Sequence, residues 1–468
     1  MSADDLSALP RPDPLALEEA LYGLKGAAGD VRWVECATSD LGSVARGKRV
    51  AAADFLAMAG CRLPSVVFGL TVTAGEPSEV FGPLLPSTYD DVLLVPDLST
   101  LAPRPGRPQE ATVLCEPAGA LRLPSGVCDA SALSPRAALR RVVRRLAESG
   151  LEATVAPELE FFLLAPGQAD PLAASPPAPG AAPESVCEML SLERLVHFEP
   201  FFDDLYAACE VWKIPLNGHA HEAALSQYEV NFRPGPPLAQ ADAVARFKRL
   251  AREIGSRHGL VASFAAKPFL QEPGTGMHWH VSLQHRGLRA WPHVFSEPEG
   301  GDSAALGHFI AGLQAGAAGA MAIFAPYGMS WDRIALSNAS PTHANWGHES
   351  RALAFRIPES GPAARRVENR LPGGDANPYL LLATTLGLGL AGLEARLAPW
   401  PAGDERTRLP QGLAPALQAL QDCPLLAQVL GVPLRDLYLG VKRHELAERH
   451  ACTRPREDWD LRHLVGLS

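Results

Sequence analysis

The chain has 468 residues, of which 47% are hydrophobic and 20% are charged, so it can bury a large core and we expect it to divide into two domains. A formal net charge of -10 argues against a nucleic-acid binder, which would carry a basic stripe, and fits a cytoplasmic enzyme. The 8 cysteines form no Cys-x-x-Cys pair, so neither a zinc ribbon nor a disulfide framework is indicated.

The first 125 residues predict a small α+β domain. Residues 1–15 carry acids and prolines without a basic-then-apolar segment, so we predict a flexible lead-in rather than a signal peptide. Short helices and strands are then expected to alternate over 16–125. The expected helices are Ala16–Tyr22 and Ala51–Ala59, and the expected strands are Val31–Thr38, Arg46–Val50, Ser65–Thr73, Asp91–Pro96 and Glu110–Glu116.

Residues 126–468 predict a second, larger unit that opens with a helix at Pro135–Ser149. A Pro/Ala-rich stretch at Ala165–Ser185 predicts a surface insertion without regular structure. The apolar run Tyr379–Leu393 is short for a membrane span and predicts a buried helix, so we expect no membrane segment. Further helices are expected at Leu190–Lys213, Leu238–His258, Ala304–Phe324, Gln411–Leu439 and Val441–Glu448, and further strands at Ala262–Pro268 and His278–Leu283.

Several acids and histidines occur in patterns typical of metal ligands. Strand alternation places His278 and His280 on one face, and it does the same for Glu158 and Glu160. Carboxylates with histidines suit Mg²⁺ or Mn²⁺, whereas zinc favours Cys and His. Each pattern also has a structural interpretation: buried histidines with satisfied hydrogen bonds, a solvent-facing strand, or a solvated loop. The candidate side chains are Glu158, Glu160, Glu222, Glu229, His278 and His280.

An arginine-rich stretch follows and surrounds Glu368. Guanidinium groups are the usual protein partners of phosphate and carboxylate oxygens, although a salt-bridged strand or helix face would look the same. These arginines are Arg351, Arg356, Arg365, Arg366 and Arg370. Gly274-Thr275-Gly276 is not a P-loop, because no Lys follows it and a strand does. Acids and arginines together predict phosphate chemistry that depends on a divalent metal.

In this order the motifs resemble the glutamine synthetase superfamily in its bacterial type I form, from about residue 30 to the C-terminus. The matching segments are Pro157-Glu158-Leu159-Glu160-Phe161, Gly274 to Ser282, Arg351 to Pro358, Arg365 to Arg370, and Asn377-Pro378-Tyr379-Leu380. The resemblance implies an α+β protein with an N-terminal β-grasp-like domain over 16–125 and a catalytic domain over 126–468, an antiparallel sheet flanked by helices. It also implies a homo-oligomer of stacked hexameric rings, a dodecamer, with active sites between neighbouring subunits.

The resemblance further implies a role for each site residue, with ATP and two to three Mg²⁺ or Mn²⁺ ions as cofactors. One metal would be held by Glu160, Glu222 and Glu229, and a second by Glu158, His278 and Glu368. The implied ATP contacts are His280, Ser282, Arg351, Arg356 and Arg366. Gly274, Arg333 and Arg370 would bind glutamate, and Arg351, Arg333 and Arg370 would act in catalysis. The implied reaction forms γ-glutamyl phosphate, which an amine then attacks.

The acids that this family uses for ammonium are missing. Val67–Thr73 contains no acid, and Ala339 stands where the family has a flap glutamate. Ammonium then has little reason to bind and lose its proton, so a polyamine or a small alkylamine is the expected acceptor. The segments Trp346 to Arg351 and Gly373 to Pro378 look most like the γ-glutamylpolyamine and γ-glutamylamine synthetase branch. The expected amine contacts are Phe68, Thr71, Trp331, Ala339 and Trp346, whose aromatic members suit an ammonium group.

Three alternatives stay open. The first is a glutamine synthetase proper. The second is a ligase for another carboxylate, because Pro273 replaces the family's asparagine beside the acid pocket. The third is a non-catalytic member that binds a nucleotide or metabolite. The complete metal set argues against the last alternative, because a decayed site would lose these carboxylates first.

Overall fold

A computed structural model describes residues 9–24, 30–167, 170–176, 182–288, 290–336, 340–404, 406 and 408–467. The predicted lead-in 1–15 and the predicted insertion 165–185 lie partly outside the described residues. Residues 9–13 have no regular structure, and the first helix begins at Pro14.

A six-stranded sheet organises the N-terminal part. The elements are α1 (Pro14–Gly23), β1 (Trp33–Ser39), β2 (Ala45–Ala51), α2 (Ala52–Met58), β3 (Cys61–Pro64), β4 (Asp91–Pro96), β5 (Ala102–Arg104) and β6 (Arg107–Ala118). The strand order is β2-β1-β6-β4-β3, with β5 also on β6, and only the β1–β6 pair is parallel among these described strands. Leu17, Leu21 and Phe55 of the two helices are buried with Val34 and Val113 of the sheet. A separate hairpin, β7 (Ala120–Leu123) and β8 (Gly126–Asp129), follows.

An eight-stranded sheet organises the larger part, in the order β10-β11-β9-β13-β16-β15-β14, with β12 also on β9. Its strands are β9 (Leu151–Leu164), β10 (Leu216–His221), β11 (Gln227–Phe232), β12 (Val261–Ser263), β13 (Met277–His285), β14 (Trp346–His348), β15 (Phe355–Ile357) and β16 (Val367–Asn369). All described pairs are antiparallel except β14–β15 at the edge. The architecture is therefore α+β, with this sheet flanked by helices as expected.

The helices of this part cover the sheet and form most of the core. They are α3 (Pro135–Glu148), α4 (Leu192–Leu195), α5 (Glu199–Val211), α6 (Pro237–Arg257), α7 (Ala304–Phe324), α8 (Gly328–Ala335), α9 (Pro378–Ala395), α10 (Leu413–Asp422), α11 (Pro424–Leu430), α12 (Val432–Ala451) and α13 (Arg462–Leu464). Helices α7 and α9 are long and apolar enough to cross a membrane by length and composition alone. Most of each is buried inside the protein, and the two pack against each other as core helices.

Several predicted elements are wrong. The helix expected at Leu190–Lys213 is α4, a 3₁₀ turn at Val196–Phe198 and α5, and the strand expected at Ala262–Pro268 ends at Ser263. The strand expected at Ser65–Thr73 is a turn of 3₁₀-helix at Ser65–Phe68, and the strand lies before it at Cys61–Pro64. Val66 and Val67 have high strand propensity, but no neighbouring strand pairs with them among the described residues, and Pro64 ends the ladder. The single helix expected at Gln411–Leu439 is three helices, because Pro424 starts a new one and Gly431 has a φ of 84°.

A buried arginine joins the N-terminal sheet to helices α3 and α6 of the larger part. The Arg136 guanidinium of α3 donates to Glu116 at 2.6 Å and to Asp97 at 2.7 Å, both from the N-terminal part, and to Asp242 of α6 at 2.8 and 2.7 Å. Removing one member of such a buried network leaves an uncompensated charge, so the junction resists separation of the two parts.

We expect Gly312→Ala to destabilise the protein. A Cβ atom at Gly312 would lie 2.1 Å from the Leu388 carbonyl oxygen, so α7 and α9 would have to separate. Such overpacking costs on the order of 2 kcal/mol in the free energy of unfolding, measurable by urea denaturation. Gly307→Ala, on the same helix with its nearest neighbour at 3.4 Å, is the control and should be neutral or stabilising. Equal effects of the two substitutions would contradict the close helix contact.

Candidate active site

Strand register brings the predicted metal ligands onto one face of the larger sheet. Glu158 and Glu160 alternate on β9, His278 of β13 lies opposite Glu158, and Glu229 of β11 lies opposite Glu160. Glu368 of β16 lies opposite His280 of β13 and opposite Arg356 of β15. Glu222 directly follows β10. The structure therefore places all six predicted ligands around one site: Glu158, Glu160, Glu222, Glu229, His278 and Glu368.

Glu160 and Glu229 form no ion pair among the described residues, although Arg333 and Arg370 act on Glu160 from a distance. Burial raises the pKa of Glu160 to about 7, and the charge of Glu222 contributes to the increase. Burial raises the pKa of Glu229 to about 8, and the charges of Glu158 and Glu160 contribute. Burial and like-charge repulsion both disfavour the ionised carboxylates, and a bound divalent cation would favour them again. The donor set therefore fits a metal that prefers oxygen ligands.

The other two carboxylates on the sheet are compensated. Burial acts against ionisation of Glu158, but His278 and His280 hold its pKa well below its usual range. Burial also acts against ionisation of Glu368, yet the surrounding histidines and arginines lower its pKa. Arg356 Nη1 donates to Glu368 at 2.7 Å, and Arg370 also donates to this carboxylate. Glu368 is fully buried, so these partners fix its orientation.

The two histidines differ in what their ring nitrogens do. His280 Nδ1 accepts from Arg366 at 3.2 Å, so the proton lies on Nε2, which is 3.0 Å from Glu158. His278 Nδ1 lies 3.8 Å from Glu158 and 3.9 Å from Glu368. Burial lowers the pKa of His278 to about 4, which leaves the neutral imidazole that a metal requires. Ligand atoms of Glu158, His280 and Glu368 lie within 4.8 Å of one another, but the hydrogen bonds of His280 favour His278 as the ligand.

A cavity of about 460 Å³ opens beside these residues. Among the predicted site residues it is lined by Glu160, Glu222, Glu229, Gly274, His278, Arg333, Arg351 and Arg370. Arg333 of α8 is buried and donates to the Leu371 carbonyl at 3.0 Å, while Arg370 Nε donates to the Arg351 carbonyl at 3.0 Å. Gly274 approaches Arg333 so closely that a Cβ atom would lie 2.9 Å from its Cγ. The metal side and the predicted glutamate side therefore share one cavity.

The predicted nucleotide contacts extend from the metal ligands along the sheet. Ser282 is on the same face of β13 as His280, and its hydroxyl donates to the Thr154 carbonyl at 3.4 Å. Arg366 precedes β16, and Arg356 Nε donates to the Glu349 carbonyl at 2.8 Å. Arg351 is exposed at the cavity. This arrangement presents positive charge beside the metal ligands, as binding of a polyphosphate requires.

The four predicted amine contacts that the structure describes do not line this cavity. Phe68 is packed in the core, and Thr71 is fully buried with its hydroxyl accepting from Gly75 N at 2.7 Å. Trp331 packs against the core, and Trp346 Nε1 donates to the Trp400 carbonyl at 2.6 Å. Ala339 lies outside the described residues, although Leu336 and Ser340 on either side of it line the cavity.

Several residues that orient the site were missed in the sequence. Gln227 donates to Glu160 at 3.2 Å and to the Gly274 carbonyl at 3.0 Å, and Asn231 donates to Glu229 at 2.9 Å. Both alternate with Glu229 along β11, which was a signal for a polar strand face. Glu184, from the predicted insertion, accepts from Ser226 N at 2.5 Å and lies 3.1 Å from His221 Nε2, next to Glu222.

Comparisons with known proteins agree with this geometry. Residues 132–463 match the family described as glutamine synthetase, catalytic domain. A gamma-glutamylputrescine synthetase of Escherichia coli is 32% identical over 393 residues, covering 79% of this chain and 77% of that protein. A glutamine synthetase of Mycobacterium bovis (32%; 78% and 84% covered) and a glutamate–isopropylamine ligase of Pseudomonas (32%; 77% and 77%) are equally similar.

Solved structures of similar proteins share this fold. A complex of GmaS with ADP superimposes with a TM-score of 0.77 at 26% identity, covering 96% of this chain and 99% of that one. A crystal structure described as a novel glutamine synthase homolog gives a TM-score of 0.78 at 28% identity, covering 95% and 100%.

We expect Glu229→Gln to stabilise the metal-free protein and to weaken metal binding. The substitution keeps the shape of the side chain but removes one charge from the buried cluster with Glu158 and Glu160. The melting temperature without metal should rise, and the affinity for Mn²⁺, followed by thermal shift, should fall by at least about tenfold. Glu152→Gln, at an exposed residue of the neighbouring strand β9, should leave both quantities unchanged. An unchanged response to Mn²⁺ in Glu229→Gln would show that Glu229 is not a ligand.

Proposed function

The chain belongs to the glutamine synthetase family, and we propose that it is an ATP-dependent ligase that joins an amine to the γ-carboxyl of glutamate. The observation that carries this proposal is the single cavity shared by the metal carboxylates and the arginine pair Arg333 and Arg370. The acceptor is a polyamine or a small alkylamine rather than ammonium, because both family acids for ammonium are replaced, one of them by Ala339.

Each part of the site has a defined task in this reaction. Glu160, Glu222 and Glu229 hold one divalent metal, and Glu158, His278 and Glu368 hold another. Mg²⁺ or Mn²⁺ would neutralise the phosphates of ATP and the charge that develops during phosphoryl transfer. His280, Ser282, Arg351, Arg356 and Arg366 contact the nucleotide. Arg333, Arg370 and Gly274 bind glutamate and orient its γ-carboxyl, and Arg351 faces the transferred phosphoryl group.

Sequence identity does not decide the acceptor, since glutamine synthetases and amine ligases are equally similar to this chain. The chemistry of ammonium favours an alkylamine as the acceptor. Ammonium is small and strongly hydrated, so it needs a fixed carboxylate to replace its water and remove a proton. An alkylamine gains affinity from its carbon chain as well, and therefore depends less on such an acid.

We further propose that residues 16–125 form a β-grasp-like domain and residues 126–468 the catalytic domain. The subunits assemble as two stacked hexameric rings in the cytoplasm, with the N-terminal domain of one subunit closing the cavity of the next. In support, the described N-terminal residues do not line the chain's own cavity. Sedimentation velocity tests the assembly.

Phosphate release from ATP tests the reaction. With glutamate and Mg²⁺, we expect putrescine, spermidine, ethanolamine or a monoalkylamine to stimulate release more than ammonium does. Release with ammonium as the best nucleophile would make the chain a glutamine synthetase. A response to the amines only when another carboxylate replaces glutamate would move the assignment to that acid. ATP binding without release under any condition would leave a non-catalytic member.

We expect His278→Ala to reduce turnover by at least about a hundredfold through loss of a metal ligand. His285→Ala is the matched control, because His285 is an exposed residue at the end of the same strand. Steady-state rates over a range of Mg²⁺ and Mn²⁺ concentrations measure the effect, and His285→Ala should match the wild type. Full activity of His278→Ala would assign the ligand role to His280 instead.

A further inference from the structure

A second, smaller cavity lies between the N-terminal sheet and α6, and it shares no described lining residue with the candidate active site. Its volume is about 60 Å³. Among the described residues, its lining contains four arginines and four serines or threonines but no acid. These residues are Arg136, Arg246, Arg249 and Arg252, with Thr38, Ser39, Ser43 and Thr112.

Two of the four arginines are paired with acids that lie outside the lining. Arg136 has the three acidic partners of the junction described above. Arg249 Nη1 donates to Glu35 of β1 at 2.5 Å. The charges of these two guanidinium groups are therefore already compensated.

The charges of Arg246 and Arg252 are not compensated in the same way. Arg246 is buried, and its guanidinium donates to the Thr100 carbonyl, which is a neutral group. Burial lowers the pKa of Arg246, although the charge of Asp242 acts in the opposite direction. Burial also lowers the pKa of Arg252 to about 10, and the charge of Arg249 contributes. Burial and like-charge repulsion thus disfavour the charged guanidinium groups, and a bound anion would favour them again.

The N-terminal part contributes a hydroxyl group to the same cavity. Ser43 lies in the turn between β1 and β2, and its Oγ atom is buried without a hydrogen bond to any residue that the structure describes. Its backbone has a φ of 66°, and the Asp40 carboxylate fixes the turn by accepting from Val44 N at 2.8 Å. A buried hydroxyl normally has a hydrogen-bond partner, so this one is placed to donate to a ligand.

We propose that this cavity binds a tetrahedral oxyanion, inorganic phosphate or sulfate, through the guanidinium groups of Arg246 and Arg252 and the hydroxyl of Ser43. Guanidinium groups and hydroxyls are the usual donors to such oxygens. Since one water needs roughly 10–15 Å³, the cavity has room for about four, which suits a free ion with four oxygens and excludes a nucleotide. The ion contacts both parts of the chain, so its binding stabilises their junction.

Titration calorimetry with inorganic phosphate tests the site in the full chain, without metal or nucleotide and at constant ionic strength. We expect saturable binding and a rise in melting temperature. Arg246→Gln can still donate to the Thr100 carbonyl but has no charge, so the Kd should rise by at least about tenfold. Ser43→Ala removes one hydrogen bond and should raise the Kd about fivefold. Arg257→Gln, an equal change of charge at an exposed position of α6 outside the cavity, should bind phosphate as the wild type does.

Sulfate should compete with phosphate, whereas acetate and chloride should not. Equal stabilisation by all four anions would reveal general screening of charge and would overturn the site. An unchanged Kd in Ser43→Ala would also overturn it, and this variant decides the question if Arg246→Gln does not fold. Arg366→Gln alters a proposed nucleotide contact and should keep the wild-type Kd. Loss of phosphate binding in Arg366→Gln alone would place the ion in the active site instead.

Discussion

The repulsion among buried carboxylates on one sheet face is the constraint on which the rest of the structure depends. Glu158, Glu160, Glu229 and Glu368 lie on adjacent strands, and their spacing is set by hydrogen-bond register. Histidines and arginines compensate Glu158 and Glu368, whose pKa values are lowered. Glu160 and Glu229 have raised pKa values because burial and neighbouring carboxylates outweigh the hydrogen bonds and distant arginines that act on them. These two carboxylates are thus placed to bind a cation. Burying them close together lowers the stability of the fold, and favourable interactions elsewhere must offset that loss.

That energy comes from the layers behind the sheet and from the junction between the two parts. Met277, Trp279, Val281 and Leu283 of β13 are fully buried against the helices, while His278 and His280 face the site. The glycines of α7 and α9 allow their backbones to come close together, and Arg136 of α3 ties the N-terminal sheet to α6. A one-residue slip of β13 would turn the histidines into this core, so packing on one face fixes the ligands on the other.

The residues with a strong local signal were predictable, and those that depend on distant pairing were not. Alternation alone identified the Glu158 and Glu160 pair and the His278 and His280 pair, because strand geometry dictates which side chains share a face. The strand at Gln227–Phe232 looked like a solvated loop, since its pairing with β9 bridges a long sequence separation. The three-residue strands β14, β15 and β16 are too short for any periodicity.

The insertion gave the least reliable prediction, because composition reports on regular structure and not on contacts. Its Pro/Ala content correctly indicated an irregular segment, yet Glu184 at its end binds Ser226 N beside the metal ligands. The acceptor pocket shows the same limit: Phe68 is buried in the core and Trp331 and Trp346 pack partly against it, so their contact with an amine stays a prediction.

The choice between ammonium and a larger amine depends on where the cavity has carboxylates that do not bind a metal. The described lining contains one acid outside the proposed metal sites, Glu272, and also two large apolar side chains, Met189 and Leu336. A compact ammonium ion beside the metals gains nothing from an acid on the apolar side, since Coulomb attraction between separated charges in a hydrated cavity is weak. A molecule that bridges both places gains from each. The acids and apolar side chains of the cavity, rather than overall identity to either group of relatives, therefore bear on the choice between ammonium and a larger amine.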